Sequence, residues 1–264
     1  MRIAVTRQVS PEIGRCELTH IEREPIDADV AAVQHREYEE RLSESGCTML
    51  RLPALPGFPD AVFVEDTAVV LPELAVLARP GADSRRGEVE SIAAALDSRR
   101  PLVRIEVPGT LDGGDVLVVG RSVYVGLSSR TNGEGARQLS AALDPLGYAV
   151  HGVAIEGCLH LKSAVGLVAP NTLLVNAGWV DVGRFVGMRF IEVAPEEPDA
   201  AGALLLGETV LYPERFGRTR DRLERAGIQV SVVCLSELAK AEGGVTCCSL
   251  VFDVESEADS LPAA

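Results

Sequence analysis

The sequence predicts an α/β fold: a five-bladed, propeller-like ring of β/α units closed by pairing of the N- and C-terminal segments. Three observations point there. A strand, strand, helix, strand order recurs along the chain with a period of about 50 residues. No Pro/Ser/Gly-rich linker, charge block or low-complexity tract divides residues 1–254, so they form one domain, and only the tail at 255–264 reads as flexible. The two chain ends supply partial units, and a fifth unit is complete only if they meet. An open α/β sheet with hairpins would show the same order of elements, so the pattern alone leaves both architectures open.

Each unit has its own signals. At the N-terminus, residues 2–6 form an apolar run, Ala31, Tyr38 and Leu42 share a helical face that Gly46 ends, and 48–52 is strand-like. The second unit takes strands at 61–71 and 74–79, a helix at 84–97 and a strand at 102–107. In that helix Val89, Ile92, Ala93 and Leu96 fall on one face, and Ser84 can cap the start. The third takes strands at 115–119 and 122–127, a helix at 132–146 with Leu139, Leu143 and Leu146 inward and Gly147 as its stop, and a strand at 149–155. A fourth fits strands at 164–168, 172–175 and 189–193, with a short helix near Trp179. The last fits strands at 203–206, 209–212 and 229–235, with a helix between Pro213 and Gly227 carrying Phe216 and Leu223. What remains, 249–254, is the strand that would join the N-terminal segment. In a ring, loops from several units would converge on a central pocket.

Composition bounds the class. The 264 residues are 47% hydrophobic and 24% charged, the balance of a globular protein with a substantial core. No apolar stretch reaches the roughly 18 residues needed to span a bilayer, and the start MRIAVTRQV carries no cleavable signal pattern, so a soluble cytoplasmic protein is expected. The formal charge of −14 argues against nucleic-acid or anionic-membrane partners and favours a cationic ligand. Six scattered cysteines lack a disulfide-framework spacing, and reduced thiols are the default.

Chemistry concentrates in a few segments. VTCCS at 245–249 offers a thiol, Cys247, beside small residues whose backbone can donate hydrogen bonds. A thiol reacts as thiolate and needs a partner, for which His160 is the best of four histidines. Cys247 and Cys248 would otherwise read as ordinary buried residues of a late strand. Asp60, Glu65 and Asp66 surround an apolar strand with no need of acids; alternation puts Asp60 and Asp66 on one face and Glu65 on the other. Asp112 and Asp115 flank two glycines that permit a sharp turn or a close backbone approach. Arg85 and Arg130 precede or open helices, where a bidentate carboxylate contact is plausible. Cys158, Cys247 and His160 lack the fixed pairings of a structural zinc site.

The ordered set FPDAVFVEDTAVV, ARPGADSRR, LDGGDV, GLSSRTN, LHLKS and EGGVTCCS resembles the dimethylarginine dimethylaminohydrolases of the pentein superfamily, over nearly the whole chain. The resemblance implies a five-bladed propeller of ββαβ units that hydrolyses methylarginines to citrulline and an amine, with no metal and no organic cofactor, as a monomer or homodimer. It implies that Cys247 is the nucleophile, His160 the acid/base, and Asp66 and Asp112 the carboxylates that grip the guanidinium. Asp60 and Glu65 would add substrate contacts, while Arg85 and Arg130 would recognise the amino-acid end. Leu18, in CELTHIER, would belong to a loop covering the substrate, and Ala241 would offer its backbone; here Ala replaces a larger residue common in relatives. Other readings remain: an arginine deiminase or related amidinohydrolase, a noncatalytic binding scaffold on the same fold, or a redox sensor built on Cys247 and Cys248. Arginine deiminases usually carry a helical insertion for which this length leaves no room.

Overall fold

The protein, seen in a computed structural model, is described over residues 1–254, and the tail at 255–264 lies outside the described residues. The first unit has β1 (Arg2–Arg7), α1 (Ala28–Glu44) and β2 (Cys47–Leu52). The second has β3 (Ala68–Val70), β4 (Ala75–Leu77), α2 (Val89–Leu96) and β5 (Leu102–Arg104). β6 (Val116–Val119), β7 (Ser122–Leu127), α3 (Gly133–Leu143) and β8 (Ala149–Ala154) follow. The fourth begins with the short α4 (Leu161–Ala164), then β9 (Val165–Ala169), β10 (Thr172–Val175) and β11 (Arg189–Glu192). The fifth has β12 (Leu204–Leu206), β13 (Thr209–Pro213), α5 (Gly217–Arg225) and β14 (Gln229–Val233), before α6 (Ser236–Ala239) and β15 (Leu250–Asp253).

These strands form five three-stranded sheets, in each of which the middle strand pairs antiparallel with one neighbour and parallel with the other. The first sheet takes its antiparallel strand from the other end of the chain: Arg2 to Val5 of β1 oppose Asp253 to Leu250 of β15. Met1 and Val254 exchange N–H···O=C bonds of 2.8 Å in both directions. The expected union of the termini is therefore present.

The core runs from unit to unit. Ile3, Val5 and Phe252 of the first sheet pack with Val89, Ile92 and Leu96 of α2; Leu74 and Val76 pack with Val123, Leu139 and Leu143. Leu117 and Tyr124 continue to Leu161 and Leu173, and Leu174 to Val210 and Leu223. Leu211 and Val233 of the fifth unit return to Ala31, Tyr38 and Leu42 of α1. One strand of every sheet, β3, β6, β9, β12 and β15, lines a shared cavity of about 230 Å³. Each large aliphatic side chain buried in these seams contributes roughly 1.5–3 kcal/mol. Among the described residues no helix is long and apolar enough to cross a membrane.

Some boundaries differ from expectation. α1 starts earlier, at a cap formed by the Asp27 carboxylate, which accepts from Asp29 and Val30 N–H. Asn132 caps α3, and Gly147, at φ 78°, ends its final turn. Ser84 caps nothing; Asp83–Glu88 is a 3₁₀ turn leading into α2, and the Ser84 hydroxyl donates to Glu17. The largest correction is at 61–71, where only Ala68–Val70 is strand and Val64–Thr67 is a 3₁₀ turn. Its backbone hydrogen bonds go elsewhere: Glu65 N–H donates to Cys247 O at 3.1 Å, and Phe63 O accepts from Arg85. The expected helix near Trp179 is only a 3₁₀ turn, Val182–Arg184.

Candidate active site

Two cavities meet between the units. The small one, about 20 Å³, is lined by Asp60, Asp66, Arg85, Arg130 and Ala241, and the large one, about 620 Å³, by Glu65, Gly114, Lys162 and a mixture of apolar and charged side chains. Cys247, His160, Leu159 and Glu242 face both.

Cys247 sits in the tight turn before β15. Gly244 N–H donates to its Sγ at 3.3 Å, and Thr246 Oγ1 lies 3.9 Å away. Behind the turn, the fully buried Tyr38 hydroxyl of α1 donates to Val245 O at 2.8 Å and bonds Ser249 Oγ at 2.6 Å, bracketing the thiol. Burial and the charges of Glu65 and Asp66 push the thiol up to about 12. Cys248 is fully buried, its Sγ directed at Gly244 O.

His160 is held between two acids. Its Nε2 is 3.1 Å from Asp112 Oδ2 and its Nδ1 is 3.8 Å from Asp66 Oδ1. Burial works against its charge, but Asp66, Asp115 and Asp112 outweigh it and raise the imidazole to about 9. A Cβ on Gly114 would lie 2.6 Å from His160 Nδ1 and 2.7 Å from Asp66 Oδ1, and one on Gly113 would lie 2.0 Å from Glu65 O. The two glycines thus serve close approach. Asp115, which no role anticipated, accepts Leu161 N–H at 2.9 Å and the Ser128 hydroxyl at 2.6 Å, fixing α4 directly after His160. Burial raises it to about 6. Two acids beside two glycines were the available signal, but not which acid would touch the imidazole.

The remaining residues divide by cavity. Asp66 accepts from Arg85 Nη1 at 2.6 Å and Gly114 N–H at 3.1 Å; burial opposes its ionisation, yet His160 and Arg85 hold it below the usual range. Arg85 is itself buried and all three of its nitrogens are engaged: Nη1 with Asp66, Nε and Nη2 with Glu88 at 3.2 and 2.9 Å, and Nη2 also with Phe63 O at 3.0 Å. Arg130 makes no ion pair among the described residues; its Nη2 donates to Thr19 Oγ1 at 3.0 Å. Asp60 accepts Glu17 N–H at 3.1 and 3.2 Å. Glu65 Oε1 pairs with Lys162 Nζ at 2.7 Å, while Oε2 is buried without a hydrogen-bond partner. Strand alternation separated Glu65 from Asp60 and Asp66; the separation holds, although a 3₁₀ turn produces it.

Leu18 packs against the cluster containing Phe63 and Ala241 and lines neither cavity; its neighbours Glu17 and His20 do. Their loop is held down by Glu242, whose carboxylate accepts Thr19 N–H at 2.8 Å and His20 N–H at 2.6 Å. Glu242 is at φ 57°, the one non-glycine residue of positive φ among those described. Asp112 faces neither cavity: it is fully buried behind His160 and accepts Gly81 N–H at 2.9 Å, so it holds the imidazole and does not reach a guanidinium in front of it. Asp66, Asp112 and His160 are the one described group whose atoms could ligate a metal, but the Arg85 charge on Asp66 opposes a cation there.

No family model matches the chain. Among characterised proteins, it is 40% identical to the N(G),N(G)-dimethylarginine dimethylaminohydrolase of Pseudomonas aeruginosa over 84% of this chain and 88% of that protein. It is 39% identical to the enzyme of that name from Streptomyces coelicolor, over 94% and 95%. The chain belongs to the dimethylarginine dimethylaminohydrolase family. A crystal structure of the Pseudomonas aeruginosa family member, a Cys-to-Ser variant complexed with citrulline, superposes with a TM-score of 0.89 at 36% identity, covering 94% of this chain and 98% of that one. Membership in this family makes the chain a hydrolase of C–N bonds in guanidino compounds.

Proposed function

We propose that the chain hydrolyses Nω-methylated arginines to citrulline and methylamine or dimethylamine, with Cys247 as nucleophile and His160 as acid and base. The observation that carries this is the shared position of a thiol and a doubly acid-flanked imidazole where two cavities meet. The citrulline held by the Pseudomonas aeruginosa relative is the product this chemistry would leave. The cyclic chain of core contacts and the cavity lined by one strand from each sheet support a closed five-bladed propeller around the site.

In this reading Arg130, with the one unpaired Nη1 N–H of Arg85, takes the substrate carboxylate, and Asp60 and the Ala241 backbone receive its ammonium end. Asp66 and the open Oε2 of Glu65 take guanidinium N–H groups. Arrival of that cation offsets the Glu65 and Asp66 charges that keep the thiol protonated, so the thiol releases its proton to solvent. Sγ attacks the guanidinium carbon. His160, protonated below about 9, gives its proton to the substituted nitrogen, and the amine leaves neutral from a thiouronium adduct. Neutral His160 then takes a proton from water as the oxygen adds, and the thiolate departs from citrulline, whose released proton is taken up by the amine in solution. Every step uses groups of the chain and water, so no metal or organic cofactor is invoked.

The test is parallel incubation with asymmetric dimethylarginine, monomethylarginine, arginine and agmatine, with ureido product and amine followed by mass spectrometry. Methylarginines are expected to turn over fastest; equal or greater turnover of agmatine, which lacks the carboxylate, refutes the reading of both arginines.

A further inference from the structure

The large cavity is out of proportion to a methyl group, even allowing for the part of an arginine side chain that the small one, at about 20 Å³, does not enclose. Its 620 Å³ lies within the roughly 300–1,000 Å³ of sites for drug-sized ligands. Resting on the methylarginine reading, the order of residues fixes which part of a substrate would face it. Of these two cavities, Arg85, Arg130, Asp60 and Asp66 line the small one alone, Cys247 and His160 line both, and Glu65, Gly114 and Lys162 line the large one alone. A substrate anchored by its carboxylate at Arg130, with its guanidinium carbon at Cys247, therefore directs its substituted nitrogen past His160 into the large cavity. There the lining is mixed: Cys158, Leu235, Phe216 and Ala239 give it an apolar side, and Asp199, Glu214, Arg215 and Lys240 a charged one.

We propose that this enzyme also hydrolyses arginines whose Nω-substituent is an alkyl chain several carbons long, releasing the corresponding primary amine. The balance of the reaction is unchanged: the S–C bond forms, the C–N bond to the alkylated nitrogen breaks as His160 protonates it, and water replaces sulfur to give citrulline. The apolar side of that lining, around Leu235, Phe216 and Ala239, compensates for the size of the arm, since each methylene buried on it favours binding by about fourfold. Ala239, on α6, is half-buried, lines the large cavity and not the small one, and is none of the residues assigned to the reaction.

The experiment compares kcat/KM for Nω-methyl-, Nω-propyl- and Nω-pentyl-arginine in the intact protein and in Ala239→Phe, with Ala239→Leu as a milder variant should the first not fold. The pentyl substrate is expected within about tenfold of the methyl one, and the larger residue at 239 to cut pentyl turnover by about tenfold or more while leaving methyl turnover unchanged. Rejection of the pentyl substrate by over about a hundredfold while methylarginine is turned over overturns this inference and leaves the methylarginine reading standing. An equal loss on both substrates in the Ala239 variants also overturns it. Turnover of the pentyl but not the methyl substrate upholds the cavity assignment and refutes the methylarginine reading.

Discussion

Asp112→Asn is the substitution that separates holding the imidazole from touching the substrate. Its isosteric amide can still accept Gly81 N–H through Oδ1, which leaves its NH₂ facing His160 Nε2. The imidazole must then present a lone pair there, with its proton on Nδ1 toward Asp66, and the charge that helped hold it protonated is gone. His160 stands at about 9 against an ordinary 6.5, a difference worth about 3 kcal/mol, supplied by Asp66, Asp115 and Asp112 against the cost of burial. Removing one of three acids lowers the alkaline limb of kcat by about one to two pH units. Loss of the correct proton donor costs about 10²–10⁴ in kcat at neutral pH, with KM little altered because Asp112 faces neither cavity. The sign for stability follows from the raised imidazole: its contribution is complete below pH 6.5 and is lost as pH rises through about 9. The variant's melting temperature should therefore fall less steeply over that interval than that of the unaltered protein. The assay is kcat and KM from pH 6 to 10 alongside thermal melts. A unchanged alkaline limb with a raised KM would refute the reasoning and return Asp112 to the substrate.

Three further outcomes follow from the site. With the thiol held up to about 12, the iodoacetamide rate at Cys247, read by peptide mapping without substrate, should climb about tenfold per pH unit from 7 to 9; a plateau below pH 8 contradicts the assigned charges. Glu242→Gly removes the acceptor for Thr19 and His20 N–H and also a positive-φ side chain, so KM should rise about tenfold while the melting temperature holds or increases; a lowered melting temperature with KM unchanged speaks against the latch. Tyr38→Phe withdraws the hydroxyl behind Val245 and Ser249 at a stability cost of about 1–3 kcal/mol, and should lower kcat more than it raises KM; unaltered kcat would mean that the turn holds Cys247 without α1.

Legibility in the sequence followed the range of the interaction that decides each feature. Apolar periodicity located α1, α2, α3 and α5, because burial of one face is written in the local spacing. The segment 61–67 has the same apolar content but surrenders its backbone groups to Cys247 and Arg85, partners distant in sequence, so its strand-like pattern misleads. α4 and α6, four residues each, are too short to leave a period. Within the site, the motifs named residues that the fold brings to one place. What they could not convey was direction: Asp112 turns behind the imidazole, Leu18 turns into the core, and Arg85 spends part of its guanidinium on Asp66 and Glu88. Asp115 and Tyr38 went unassigned because neither touches a cavity, and their importance lies wholly in what they fix.

The pairing of β1 with β15 also sets when the protein can begin to work. The first strand made waits for the last, separated from it by nearly the whole chain, and the turn carrying Cys247 lies directly before that last strand. Contacts of such long range close late in folding, because the loop entropy of everything between them must be lost first. A nascent chain lacking its final residues could hold His160 and the acids in folded units yet have no placed thiol. The reactive sulfur would then be put in position only as the seam between the two termini is sealed, so that an incomplete molecule is also an inert one.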